Sequence, residues 1–240
     1  MRAQLWVIWV AAAVFGCSSD PSSGEPGGAQ SPTSVPPDSS RPKPPDLGPN
    51  EPGETSPTNL DPILDPASPA CSGADGELYA IRARQLATAD EIPLCRAKGR
   101  VLLIVNGASH CGYTPQYKPL QALYTKHRDA GLSILAFPSK SFNQEDSDEQ
   151  QVSDFCTKEN GITFPLFAIA PVKDNGSKSE TAQPVYQWLA AQPGMSAPVA
   201  WNFEKFLIGR DGKVRERFGS NVQPTADGPI DEAIVAALAE

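Results

Sequence analysis

Val101-Leu102-Leu103-Ile104-Val105-Asn106-Gly107-Ala108-Ser109-His110-Cys111-Gly112-Tyr113-Thr114 passes from an unbroken apolar run into small and polar residues. Five consecutive Val, Leu and Ile residues read as a strand buried on both faces, the kind found in α/β sheets covered by helices. Cys111 stands in the break that follows. Beyond it Leu120, Leu123, Tyr124 and His127 recur at helical spacing up to Gly131, and Pro119 is tolerated only in a first turn. The helix is therefore expected to begin at 116–118, with the cysteine on the loop just ahead of it.

A thiolate, not a thiol, is the nucleophile, and a free cysteine of pKa about 8.5 is only a few per cent ionised at neutral pH. A helix N-terminus contributes about 0.3–1 kcal/mol to a nearby anion, less than one pKa unit. A reactive Cys111 would need further donors from elsewhere in the chain. The alternative is a buried cysteine at a strand end.

The rest of the folded region reads as alternating strands and helices. A short hairpin is expected over 78–94, a second buried strand over 132–138, and a helix starting at the capping-box spacing of Ser147 to Gln150, with Val152, Phe155 and Cys156 on its apolar face. A strand over 162–167, a helix over 184–191, a strand over 201–208, a turn at 210–213, a returning strand over 214–218 and a closing helix over 230–238 complete it. Strand, helix and parallel strand form a right-handed unit. The pattern predicts an α/β chain of thioredoxin-like architecture: a central mixed sheet flanked by helices.

Ahead of that domain, Arg2 leads into an apolar run of 11 residues, 5–15, followed by Gly16 and Cys17. The run is too short to span a bilayer and suits a secretory signal. Val14-Phe15-Gly16-Cys17 resembles a bacterial lipobox, which implies a signal peptide over 1–16 and a lipid anchor on Cys17. Residues 18–70 hold 14 of the chain's 25 prolines amid Ser, Gly, Asp and Glu, a composition expected to form a disordered tether. The expected division is 1–16 signal peptide, 17–75 tether and 76–240 folded domain. Nine acidic residues against two basic ones between Cys17 and Asp75 place most of the formal charge of -8 on the tether. With no basic patch, nucleic acid is not an expected partner.

With Cys17 set aside, four cysteines remain in an oxidising compartment and allow three pairings. Cys71 and Cys95 flank the first element of the domain and are favoured as a structural disulfide, leaving Cys111 and Cys156. The two histidines, His110 and His127, show no metal-ligand spacing, and no metal or cofactor is expected. His110 is a candidate base, although neighbouring loop residues often point apart.

The runs 105–117 (Val-Asn-Gly-Ala-Ser-His-Cys-Gly-Tyr-Thr-Pro-Gln-Tyr), 135–138 (Leu-Ala-Phe-Pro), 164–167 (Phe-Pro-Leu-Phe) and 201–207 (Trp-Asn-Phe-Glu-Lys-Phe-Leu) together resemble the glutathione peroxidase family, over residues 78 to about 239 and in the family's order. The resemblance implies a thiol peroxidase in which Cys111 attacks hydrogen peroxide or an organic hydroperoxide, with Trp201 and Asn202 as the missing donors. Hydrogen bonds to a charged group contribute about 1.5–3 kcal/mol each. The family's third donor, a glutamine, falls on Ser141, with a one-residue deletion before Gln144; Lys140 adds a cation and Gln144 is a candidate replacement. Cys156 resembles the resolving cysteine of the two-cysteine branch, which implies re-reduction by a thioredoxin-like protein; if Cys156 is only a core residue, glutathione takes that part. A disulfide with Cys111 requires Cα atoms within about 7 Å, so the helix carrying Cys156 is expected to unwind locally. The short segment between Trp188 and Trp201 implies a monomer, and Ser18 after Cys17 implies an outer-membrane lipoprotein facing the periplasm. Competing readings are a disulfide reductase or copper-delivery protein, against which Thr114 stands in place of a second C-x-x-C cysteine, and a redox-silent binding module.

Overall fold

A computed structural model describes residues 61–65, 71–74, 76–176 and 181–240. The expected signal peptide, lipobox and most of the tether lie outside these residues.

The apolar run forms β3 (Val101–Gly107), preceded by a small antiparallel pair, β1 (Arg82–Arg84) and β2 (Glu91–Pro93). A turn at Thr114–Gln116 leads into α1 (Tyr117–His127), and β4 (Leu132–Pro138) returns parallel to β3. Then follow α2 (Glu149–Asp154), α3 (Pro184–Ala190), β5 (Lys205–Ile208), β6 (Val214–Phe218) and α4 (Pro229–Leu238). The central sheet has the order β4-β3-β5-β6, with β5 antiparallel to β3 and β6 antiparallel to β5.

All seven residues of β3 and all seven of β4 are buried, because helices cover both faces. The pleat divides β3 between two cores. Val101, Leu103 and Val105 pack with Leu120, Leu123 and Tyr124 of α1, Val152 and Cys156, and Ile230 and Ile234 of α4. Leu102 and Ile104 face Val185, Tyr186 and Leu189 of α3 and Ile92 and Leu94. Truncating Leu103 to Ala would cost about 2–5 kcal/mol.

Several expectations are corrected. Leu78–Ala80 is a turn of 3-10 helix, and the hairpin begins only at Arg82. Residues 162–167 make isolated bridges, Ala136 to Leu166 and Gln85 to Phe167, since Pro165 has no N–H to extend a ladder. The strand expected from 201 starts only at Lys205, because Phe203 adopts φ 64° and turns the chain. Asp148, not Ser147, caps α2, its carboxylate accepting the N–H groups of Gln150 and Gln151. Residues 61–65, assigned to the tether on composition, pack on the domain: Ile63 is fully buried, and the Asp61 carboxylate accepts the Tyr124 and Ser133 hydroxyls. Cys71 and Cys95 form the favoured disulfide, with Cα atoms 5.8 Å apart.

Candidate active site

At the C-terminal end of β3 the chain turns sharply, and Thr114 shapes that turn. Its hydroxyl donates to the Ala108 carbonyl (2.7 Å) and accepts the Cys111 N–H (3.1 Å), while its own N–H donates to the Cys111 carbonyl. Cys111 thereby sits almost buried, 6% exposed, just before the Thr114–Gln116 turn, and its sulfur accepts the Tyr113 N–H at 3.4 Å.

The loop after β4 is fastened to this turn. The Gln144 carbonyl accepts the His110 N–H (3.0 Å), and the Glu145 carboxylate accepts the Ser109 N–H (3.1 Å). Burial raises the Glu145 pKa from its ordinary value, and its second oxygen has no hydrogen-bond partner among the described residues.

Asn106, the last polar residue of β3, gathers the distant segment 201–204. Its carboxamide nitrogen donates to the Trp201 carbonyl (3.0 Å), its side-chain oxygen accepts the Glu204 N–H (3.1 Å), and its carbonyl accepts the Phe203 N–H (2.7 Å). Phe203 then meets the Tyr117 ring edge-on at 5.0 Å. The corner carrying Trp201 and Asn202 is thus held at the end of the strand that leads to Cys111.

Neither expected donor is hydrogen-bonded to the Cys111 sulfur in this arrangement. The buried Asn202 carboxamide donates to Gln144 Oε1 (3.0 Å), and the Trp201 indole, 41% exposed, packs on Phe142 at 5.0 Å between centroids. Ser141 is occupied elsewhere: its hydroxyl accepts the Val172 N–H and the Ser139 hydroxyl. Gln144 stands beside the Cys111 loop because its backbone carbonyl is tied to the His110 N–H. Lys140 reaches Ser147 Oγ (2.5 Å), and His110 turns outward to Asp146 (2.9 Å).

Cys156 is fully buried in the same core cluster as Cys111. It lies in Phe155–Glu159, where α2 widens into a π turn, a form frequent at functional sites. Burial pushes its thiol up to about 12. The buried Tyr117 hydroxyl lies beside this thiol without a well-aligned hydrogen bond to it, and its own pKa is raised by burial and by the nearby Cys156, Glu145 and Cys111.

Asn106, Glu145 and Lys205 were given no role from sequence. Lys205 is fully buried and donates to Gln116 Oε1 and to the Val222 carbonyl (2.8 Å); burial brings its pKa down to about 7. A polar side chain closing an apolar strand is the signal that could have found Asn106. Among the described residues no cluster of His, Cys, Asp and Glu could hold a metal, and no helix is long and apolar enough to cross a membrane.

The family model for glutathione peroxidase matches residues 78–190. The glutathione peroxidase-like peroxiredoxin of Schizosaccharomyces pombe is 46% identical over 136 residues, covering 55% of this chain and 82% of that protein. The hydroperoxy fatty acid reductase of Synechocystis is 41% identical over 160 residues, covering 63% and 91%. The crystal structure of Trgpx in apo form shares 31% identity with a TM-score of 0.51, covering 68% of this chain and 96% of that one. This chain belongs to the glutathione peroxidase family. It is a thiol-dependent peroxidase with an α/β, thioredoxin-like fold. In this glutathione peroxidase the Asn202 carboxamide meets the Gln144 side chain, and the Gln144 backbone meets the turn that carries Cys111.

Proposed function

We propose that Cys111 is the peroxidatic nucleophile, that Gln144, Asn202 and Trp201 form the polar corner around it, and that Cys156 resolves its oxidised form. The Cys111 thiolate attacks the outer oxygen of a hydroperoxide, an S–O bond forms as the O–O bond breaks, and the alcohol leaves with a proton. The Cys111 sulfenic acid is then attacked by the Cys156 sulfur, forming a disulfide and releasing water. A dithiol protein of thioredoxin type returns two electrons and two protons. Support comes chiefly from the convergence of residues 106, 110, 144 and 202 on the turn that carries Cys111.

The reading extends to organic hydroperoxides, including those of fatty acids, through similarity to the Synechocystis reductase. It also takes the protein as a monomeric, exported lipoprotein, anchored through Cys17 and facing the periplasm from the outer membrane, on the lipobox-like sequence 14–17. Peroxide-dependent NADPH consumption coupled through thioredoxin and its reductase tests the cycle. Loss of turnover in Cys111→Ser, and sulfenic acid trapped by dimedone in Cys156→Ser, are expected. Persistent turnover in Cys111→Ser would overturn the assignment, and failure of Cys17→Ala to abolish acyl labelling would overturn the anchor.

A further inference from the structure

Beside the Trp201 corner lies a cavity of about 420 Å³ that the peroxidase cycle does not use. Its polar rim includes Lys140, Asn143 and Lys173, and its apolar wall is Ile169, Ala170 and Pro171. No carboxylate lines it, and neither lysine is paired with a carboxylate among the described residues. Lys140 bonds only the neutral Ser147 hydroxyl, and Lys173 rests 4.3 Å above the centroid of the Phe142 ring.

That ring links the cavity to the site. Phe142 meets Trp201 on the way from Lys173, and Asn143 on the cavity rim directly precedes Gln144, whose carbonyl holds His110 beside Cys111. Consecutive Cα atoms lie about 3.8 Å apart, and one backbone N–H···O=C bond holds its two Cα atoms within about 7 Å, so the Asn143 Cα is no more than roughly 15 Å from that of Cys111. A medium-length acyl chain covers such a span. Two cations above an apolar wall suit an anionic head on an apolar body, with Asn143 able to donate beside them.

Resting on the assignment of Cys111 as nucleophile, we propose that this cavity seats the carboxylate of an organic-acid hydroperoxide, with Lys140 and Lys173 as its specificity-determining residues. Exposed ion pairs contribute about 0.2–1 kcal/mol each, so two of them shift affinity by about tenfold. Steady-state kinetics with a fatty-acid hydroperoxide, its methyl ester and hydrogen peroxide test this. In the native chain the acid should show a KM about tenfold below the ester. In the double variant Lys140→Ala, Lys173→Ala the acid's KM should rise to the ester's, with the ester, hydrogen peroxide and kcat unchanged. Equal KM values for acid and ester in the native chain, or a variant that shifts all three peroxides alike, would overturn the proposal. So would a rise confined to the KM for glutathione, which would give the cavity to a reductant's carboxylate. Calorimetric binding of dodecanoate against dodecanol reads the cavity without turnover. Preferential dodecanoate binding lost in the double variant upholds it even if Cys111 proves not to be the nucleophile, and equal binding of the two overturns it.

Discussion

The Asn202 carboxamide donates to Gln144 Oε1 at 3.0 Å, joining a corner after residue 200 to a loop near residue 140 at the turn that carries Cys111. The proposed site therefore places Gln144, not Ser141, in the polar surroundings of the sulfur. Gln144→Ala should slow oxidation of Cys111 by hydrogen peroxide about 10²-fold, the scale for loss of one aimed donor, whereas Ser141→Ala should change it less than threefold. Stopped-flow oxidation of the reduced protein distinguishes the two, and equal losses would sink the assignment.

Asn106 should behave as a positioning residue for the same corner. Its side chain makes two hydrogen bonds while completely buried, so Asn106→Leu strands the Glu204 N–H and the Trp201 carbonyl at a cost of about 1–3 kcal/mol. Besides a lower urea midpoint, Trp201 fluorescence should shift to longer wavelength as the indole loosens from Phe142. An unchanged spectrum would show that the corner is held by other contacts.

Two buried groups give opposite alkaline trends. Lys205, lowered by burial from 10.5 to about 7, has released its proton in the folded chain where the unfolded chain still holds one. Stability from this group should therefore rise between about pH 7 and 10.5. Cys156, raised by burial from 9.0 to about 12, keeps its proton longer when folded, so its contribution is complete below about pH 9 and is lost towards pH 12. Denaturant titrations across this range should show a shallower rise in Lys205→Met and a smaller loss above pH 9 in Cys156→Ala. A Lys205→Met profile parallel to the native one would contradict the first assignment.

Gly107 has no room for a side chain. An added Cβ would fall 1.9 Å from the Tyr117 hydroxyl oxygen and 2.9 Å from the ring carbon that bears it. Gly107→Ala should cost about 1–3 kcal/mol through overpacking, and Tyr117→Phe in the same chain should recover part of it. Thermal unfolding of the single and double variants measures the coupling.

Much of this architecture was legible because β3 and β4 announce themselves as apolar runs with no polar alternation, and because Pro119 and Gly131 bracket α1. The cysteine turn could be placed for the same reason. The corner could not: Trp201-Asn202-Phe203 has strand-like composition, and only tertiary contacts with residues about 95 positions away force it to turn. The partners of Asn106 were hidden for the same cause, since they are remote in sequence. Residues 61–65 looked like tether because composition cannot reveal that one carboxylate meets two buried hydroxyls.

Phe203 is a bulky residue at φ 64°, a backbone state that costs about 1–3 kcal/mol and persists only where its surroundings compel it. What compels it is the Asn106 carbonyl in front and the Tyr117 ring behind, and Tyr117 is the first residue of the helix that follows Cys111. The corner and the cysteine turn are therefore latched to one another. Damage to either half should first surface as heightened amide exchange in the other, well before the sheet between them gives way.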